Sequence, residues 1–282
     1  MNCISCGKTD FEIFADTSGL DLPVYRCKNC KLLVTGEPGD SLSKKLSELY
    51  AKQYWDDRRS SFSIESNYSD VDSQGKFRNW LSQYKYCLSY LSTRKKILEL
   101  GAGAGQSLYW FEKEGFLITG VEPDKRNVDL INQKLQHGRC VASYVDNLNL
   151  KERFNVIWMS HVLEHLQNPL EILTRLLDNL EEDGIIFIEV PNCQNQKMLK
   201  VSINEPHVFH FSKSSLVSFA KRCGFKVERC DLFRPATKLE GAIHKILKKF
   251  NIKSGHFQFY PRIMSNENDS RDLRIILKHN NS

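Results

Sequence analysis

Residues 96–106 read Lys-Ile-Leu-Glu-Leu-Gly-Ala-Gly-Ala-Gly-Gln, a short buried-strand pattern that runs straight into a glycine-rich turn, and a helix is predicted from Ser107 to Glu114. Joining a buried strand to a helix this tightly needs backbone conformations that side chains oppose. Gly101, Gly103 and Gly105 supply them and let a ligand approach the main chain. A dinucleotide fingerprint would place glycine where Gln106 stands and would not ask for Glu99 inside the strand, so an oxidoreductase reading weakens.

From Lys96 onward, short apolar runs alternate with helical stretches: Ile97 to Leu100, Leu117 to Val121, Val156 to Met159, Ile185 to Val190, Val227 to Cys230 and Leu273 to Leu277. This rhythm predicts an α/β fold with a largely parallel sheet and helices on both faces. Glu122 follows the second run, which puts a carboxylate at a strand's carboxyl end, where it can accept both hydroxyls of a ribose. Upstream, residues 41–94 are polar and aromatic, with Tyr50, Tyr54, Trp55, Phe62, Tyr68 and Trp80, and helical spacing is clearest at Phe77, Leu81, Tyr84 and Leu88. The tyrosines at 50, 54 and 68 and Trp55 are candidates to line an acceptor pocket, or simply to pack that segment on the sheet. Residues 238–250 form a basic, weakly amphipathic helical pattern, read as a solvated face or as a peripheral contact with an anionic surface.

Nine cysteines are present. The chain opens Met1-Asn2-Cys3-Ile4-Ser5-Cys6, without a basic start and apolar stretch, so the expected location is cytoplasmic and the cysteines are expected as thiols or metal ligands. Cys3-x2-Cys6 and Cys27-x2-Cys30 stand twenty residues apart, the arrangement in which two knuckles grip a tetrahedral Zn2+. Gly7 and the turn at Lys28-Asn29 suit such knuckles. The rival readings are a redox pair and unmetallated buried thiols. A breaker cluster, Thr35-Gly36-Glu37-Pro38-Gly39-Asp40, follows. The organisation read from these features is a zinc-ribbon-like module at 1–38, a helical lead-in or acceptor-side cap at 39–94, and a main domain at 95–282 with an insertion at about 233–270.

At 282 residues with 41% hydrophobic and 26% charged residues, the chain can bury a full-sized core without staples. No apolar run approaches the roughly 18 residues of a membrane span. A net charge of +6 modestly favours anionic partners and falls short of a nucleic-acid-binding signature. Oligomeric state is not legible.

The strand and loop from Glu99 to Gly105, the strand end Val121-Glu122-Pro123-Asp124, the stretch from Ser160 to Pro169 (Ser-His-Val-Leu-Glu-His-Leu-Gln-Asn-Pro) and the stretch from Gly184 to Asn192 (Gly-Ile-Ile-Phe-Ile-Glu-Val-Pro-Asn) follow one another in order. In this the chain resembles class I S-adenosylmethionine-dependent methyltransferases over residues 95–280. The resemblance implies a Rossmann-like seven-stranded sheet and S-adenosylmethionine as methyl donor. It places Glu99, Gly101, Gly103, Gly105, Glu122 and Pro123 around the methionine and ribose, Tyr144 to Asn147 with Asp146 around the adenine, and Ser160 and His161 near the sulfonium. The family usually begins the fourth strand with Phe-Asp, and here Phe154-Asn155 stands there.

Methyl transfer to a hydroxyl or carbon acid needs positioning and removal of a proton, and histidine is the natural base near neutral pH. His161 and His165 follow one strand, and His207 and His210 follow the next. The segment Glu205-Pro-His-Val-Phe-His-Phe-Ser212 is similar to the Glu-His-x-x-Tyr-Phe-Ser segment of zinc-bearing sugar C-methyltransferases, with Pro206 in the glutamate's place. That likeness implies His207 as general base, or as a histidine anchoring its loop, with His161 as a second catalytic candidate. The implied acceptor is a sugar nucleotide or glycan. A ribosomal RNA acceptor and a catalytically inactive partner-binding protein are the alternatives. The modest charge and the lack of an Asn-Pro-Pro-Tyr motif speak against the first, and the intact glycine loop with Glu122 against the second.

Overall fold

The computed structural model describes residues 1–37, 39–49, 75–91, 96–148, 150–234, 262–264 and 266–280, together with positions 239, 242–243, 246–247 and 250. Tyr50, Tyr54, Trp55, Phe62 and Tyr68, and most of the basic 238–250 segment, lie outside the described residues.

All six apolar runs are strands of one sheet. β4 (Lys96–Leu100), β5 (Leu117–Glu122), β7 (Phe154–Ser160) and β8 (Leu180–Pro191) are joined by β6 (Arg139–Ala142), β10 (Phe225–Arg234), β11 (Arg262–Met264) and β12 (Asp272–His279). The order is β11-β10-β12-β8-β7-β4-β5-β6. The pairs from β6 to β8 are parallel, and β12 runs antiparallel between β8 and β10. This is the expected seven-stranded sheet with one addition: three residues of the 233–270 insertion pair with β10 and form an eighth, edge strand. Ile185, Ile186, Phe187 and Ile188 are fully buried in succession, because layers on both faces remove the polar alternation that a solvated face would impose.

The strand order turns back at β4, with β5 and β6 on one side and β7 and β8 on the other. Crossovers therefore leave on opposite faces, and a crevice opens beyond the carboxyl ends of β4 and β7. Helices α3 (Gln106–Lys113), α4 (Lys125–Lys134) and α5 (Pro169–Leu176) follow β4, β5 and β7. Before them come helix α1 (Asp40–Glu48) and helix α2 (Gly75–Cys87), which presents Trp80 to a cluster with Trp110 and Phe111. Phe77, Leu81 and Tyr84, at the predicted spacing, are half-buried against this cluster, while the fully buried stripe runs through Trp80, Gln83 and Cys87. Leu88 lies beyond its end and is exposed.

The N-terminal residues are not a separate lobe. β1 (Phe11–Ala15), β2 (Val24–Cys27) and β3 (Leu33–Thr35) form an antiparallel sheet whose fourth strand, β9 (Phe209–His210), comes from beyond β8. Leu33 pairs with His210 and Val34 with Phe209. Two further contacts fix the module. The Gly19 N–H donates to Ile203 O at 2.8 Å, and a Cβ at Gly19 would stand 2.2 Å from Asn204 O, so only glycine fits against the end of helix α6 (Gln196–Asn204). Arg222, at the end of helix α7 (Lys213–Arg222), donates through Nη1 to Cys3 O. A single apolar core runs from Cys3, Cys27 and Leu32 through Leu98 and Leu100 to Leu277.

Candidate functional site

The crevice at the switch point is a cavity of about 470 Å³. Glu99, Gly101, Gly103, Glu122, Pro123, Tyr144, Val145, Asp146, Ser160 and His161 all line it, so the strand ends bring together the residues expected around a nucleoside and its methionine arm. Gly105 caps α3 in a left-handed conformation. Gly101 and Gly103 have φ of 68° and 58°, and a Cβ on Gly101 would come 2.5 Å from Val162 Cγ2.

The Glu122 carboxylate is aimed by main-chain donors. The Gly103 N–H gives to Oε2 at 2.9 Å and the Asp124 N–H to Oε1 at 3.2 Å. Glu99 receives the Ser107 hydroxyl on Oε1 at 2.5 Å, and its buried Oε2 makes no hydrogen bond within the protein. Burial pushes the Glu99 carboxyl up to about 8; the Ser107 hydroxyl opposes this and the Glu122 charge adds to it. A cationic ammonium beside Oε2 would relieve that penalty. Arg175, on α5, donates to the carbonyls of Val145 and Asp146 at 3.3 and 3.0 Å and so fixes that stretch of the cavity wall.

His161 sits at the other end of the cavity with a left-handed φ of 57°. Its N–H donates to Glu189 O at 2.9 Å, its Nδ1 faces Glu164 Oε1 at 3.2 Å, and its Nε2 faces Glu189 Oε1 at 3.4 Å. Enclosure lowers the proton affinity of the ring, but the two carboxylates outweigh it and hold His161 well above the usual histidine range.

Beneath His161 lies a buried ion pair that sequence reading did not assign. Arg274 and Glu189 are fully buried, directly opposite in the register of β12 and β8, and bonded through Arg274 Nε and Glu189 Oε2. Gln83 Nε2 donates to Glu189 Oε1 at 2.6 Å and to Ser160 Oγ at 3.0 Å, and Arg274 reaches Ser82 Oγ at 2.8 Å and Asn79 Oδ1 at 3.2 Å. Burial works against ionisation of Glu189, but Arg274 and His161 overcome it and hold the carboxylate below its usual range. The signal was present in sequence: each charge interrupts an otherwise apolar strand.

His207 does not line the cavity. It is buried behind His165, the two ring centres 4.5 Å apart. Burial and the neighbouring His165 push it down to about 3, and burial does the same to His210. Of the histidines expected near the reaction, His161 and His165 are on the wall of the cavity. Ser202 on α6 holds His207 Nδ1 at 2.8 Å.

In the N-terminal module, Cys3, Cys6, Cys27 and Cys30 converge, with Sγ atoms 3.4 Å apart for Cys3 and Cys30 and 3.5 Å for Cys6 and Cys27. Main-chain N–H groups of Ser5 and Cys6 point at Cys3, that of Lys8 at Cys6 and that of Leu32 at Cys30. Amides directed at sulfur favour thiolates, and four thiolates at this spacing fit a tetrahedral cation.

Comparison with known proteins agrees with this geometry. A family model described as a methyltransferase domain matches residues 73–229, and the chain belongs to that family. It is 23% identical over 137 residues to the ubiquinone biosynthesis O-methyltransferase of Haemophilus ducreyi, a match covering 45% of this chain and 58% of that one. The chain thus spans little more than half the length of this curated relative. Among solved structures it is similar in fold to a SAM-dependent methyltransferase from Archaeoglobus fulgidus (TM-score 0.52, 21% identity, 71% and 94% of the two chains). It is also similar to a plantazolicin methyltransferase in complex with SAH (TM-score 0.55, 19% identity, 85% and 100%). Among the described residues no helix is long and apolar enough to cross a membrane.

Proposed function

We propose that this chain transfers a methyl group from S-adenosylmethionine to a hydroxyl, or a related carbon, of a sugar nucleotide or glycan in the cytoplasm. The observation that carries the donor half is the placing of Glu99 and Glu122 at the ends of adjacent strands in one cavity, on either side of the glycine loop. Glu122 would accept the ribose hydroxyls, Glu99 Oε2 would meet the methionine ammonium, and Asp146 with Tyr144 would border the adenine. The donor brings a methyl carbon already activated by its sulfonium, so the protein's task is orientation, exclusion of water and handling of the acceptor's proton.

Ser160 and His161 face the position where donor and acceptor meet. His161 is held by Glu164 and Glu189, so it can orient an acceptor oxygen without rotating. Sugar as the acceptor class is supported by the likeness of residues 205–212 to sugar methyltransferases and by the cysteine module beside that segment. Structural zinc in the Cys3, Cys6, Cys27 and Cys30 set would hold β1 to β3 against β9 and so steady the histidine segment.

The test is transfer of tritiated methyl to a panel of nucleotide sugars and small glycans, with ribosomal RNA as the competing acceptor. Labelled sugar that disappears in Glu122→Ala is expected. Labelled RNA with unlabelled sugar would overturn the acceptor assignment, and no binding of S-adenosylmethionine by calorimetry would overturn the donor assignment.

A further inference from the structure

We propose that Glu164, His165 and His207 form a second metal site, separate from the four cysteines, that takes a divalent cation of the Zn2+ or Co2+ type at the acceptor end of the cavity. The three side chains each offer one ligand atom, and these atoms lie within 4.8 Å of one another. Tetrahedral bonds of about 2.0–2.2 Å to nitrogen and oxygen would set them about 3.3–3.6 Å apart, so the three side chains would draw in by up to about an ångström around the cation.

Each ligand is already turned toward the common point. Glu164 is fully buried; its Oε1 faces His161 Nδ1, while its Oε2 makes no hydrogen bond within the protein. An ionisable oxygen left so in the interior is costly, and a cation would relieve that cost. His165 Nδ1 donates to Pro206 O at 3.0 Å. A carbonyl only accepts, so Nδ1 carries the hydrogen and Nε2 is the acceptor nitrogen of the neutral ring. An imidazole anchored on a backbone carbonyl in this way is the usual support of a metal ligand.

His207 is set by a relay that reaches into the cysteine module. His207 Nδ1 and His210 Nδ1 both lie 2.8 Å from Ser202 Oγ, and His210 Nε2 lies 2.9 Å from Thr35 Oγ1. When His207 donates to Ser202, Ser202 donates to His210 and His210 donates to Thr35, every hydrogen is used and His207 presents Nε2 as a ligand nitrogen. The two ligand-bearing segments are clamped together by the Val208 N–H donating to Glu164 O at 2.8 Å.

Two histidines and one carboxylate leave at least one coordination position for an outside ligand, the arrangement of catalytic rather than structural sites. His165 lines the cavity, so that position faces the acceptor. A cation there would take the acceptor's hydroxyl oxygen and lower its pKa, so that the proton would leave to water as the oxygen bonds the methyl carbon and the carbon–sulfur bond breaks, its electron pair staying on the sulfur of S-adenosylhomocysteine. This role rests on the proposed transfer to a hydroxyl. The site itself does not, and its test uses no donor or acceptor.

Full-length protein is dialysed against Co2+ and its metal content and visible spectrum are measured. Two equivalents per chain are expected, one with intense sulfur-to-cobalt charge-transfer bands and one with only the weak bands of nitrogen and oxygen ligands. A His165→Ala/His207→Ala variant should keep the first and lose the second. Ser202→Ala, which leaves all three ligands in place, should weaken the second about 10- to 100-fold and leave the first unchanged. A single equivalent in the wild-type protein, carrying the sulfur bands, overturns the proposal whether or not the variants fold. So does a second equivalent that persists undiminished in the double variant.

Discussion

The glycine-loop end of the cavity is built on one stretch, Glu99 to Asp124, with residues 144–146 beside it, whereas the histidine end is assembled from β7's exit turn, residues 202–210, β12 and a threonine of the N-terminal module. Local geometry builds the first: three glycines with positive φ and two main-chain N–H groups on Glu122. The second depends on partners far apart in sequence, with Glu189 and Arg274 85 residues apart and Thr35 and His210 175 apart. A contiguous site tolerates change elsewhere in the fold, while a dispersed one fails when any supporting segment shifts.

The largest effect should come from breaking the dispersed end. Arg274→Met leaves Glu189 buried without its partner, at a cost of about 3–5 kcal/mol, and should lower the melting temperature by roughly 10 °C. The double variant Arg274→Met/Glu189→Met should recover most of that loss. If the single variant melts with the wild type, the ion pair is not what supports His161.

Next in size is Glu122→Ala. Loss of two charge-assisted hydrogen bonds at about 1.5–3 kcal/mol each should weaken S-adenosylmethionine by roughly 100-fold or more in calorimetry. The melting temperature of the free protein should fall by less than in Arg274→Met, because the Gly103 and Asp124 N–H groups that lose their acceptor lie at the cavity, where water can replace it.

Gly101→Ala combines a left-handed φ with a contact 2.5 Å from Val162 Cγ2. A cost of about 1–3 kcal/mol in donor affinity is expected. Val162→Ala in the same chain should return the steric part and leave the conformational part, a split readable in the same calorimetric series.

The smallest effect is on pH dependence. Glu99 carries a folded-state pKa raised to about 8 from an ordinary value of 4.5. Between those values the folded chain holds a proton that the unfolded chain has lost, so this group's contribution makes stability fall as pH rises through the window. Donor binding runs the other way: an ammonium at Oε2 favours the ionised carboxylate, so affinity should rise toward pH 8, by at most about tenfold per pH unit. Glu99→Gln should flatten that slope, and an unaltered slope would show that Glu99 does not face the ammonium.

The same contrast governs what could be read from the chain before its structure. The strands from Ile97 to Leu277, the glycine loop, Glu122 and the four cysteines were legible because each announces itself within a few residues. β6 was missed because Arg139 to Ala142 is too short and too mixed to give a period. β3 and β9 were missed because each is stabilised by the other across the chain. His207 was read as a general base or as a histidine anchoring its loop, but its link through the Ser202 hydroxyl to His210 was not legible, because no spacing rule encodes it. Asn155, noted as a departure from the usual aspartate, accepts the Lys96 N–H at 3.1 Å and ties the start of β4 to β7.

A crystal structure of the full chain grown with S-adenosylhomocysteine tests the central claim most directly. The account predicts both ribose hydroxyls on the Glu122 carboxylate, the amino group beside Glu99 Oε2, and the sulfur turned toward Ser160 and His161. A nucleoside bound elsewhere, or seated in this cavity with its ribose away from Glu122, would contradict it.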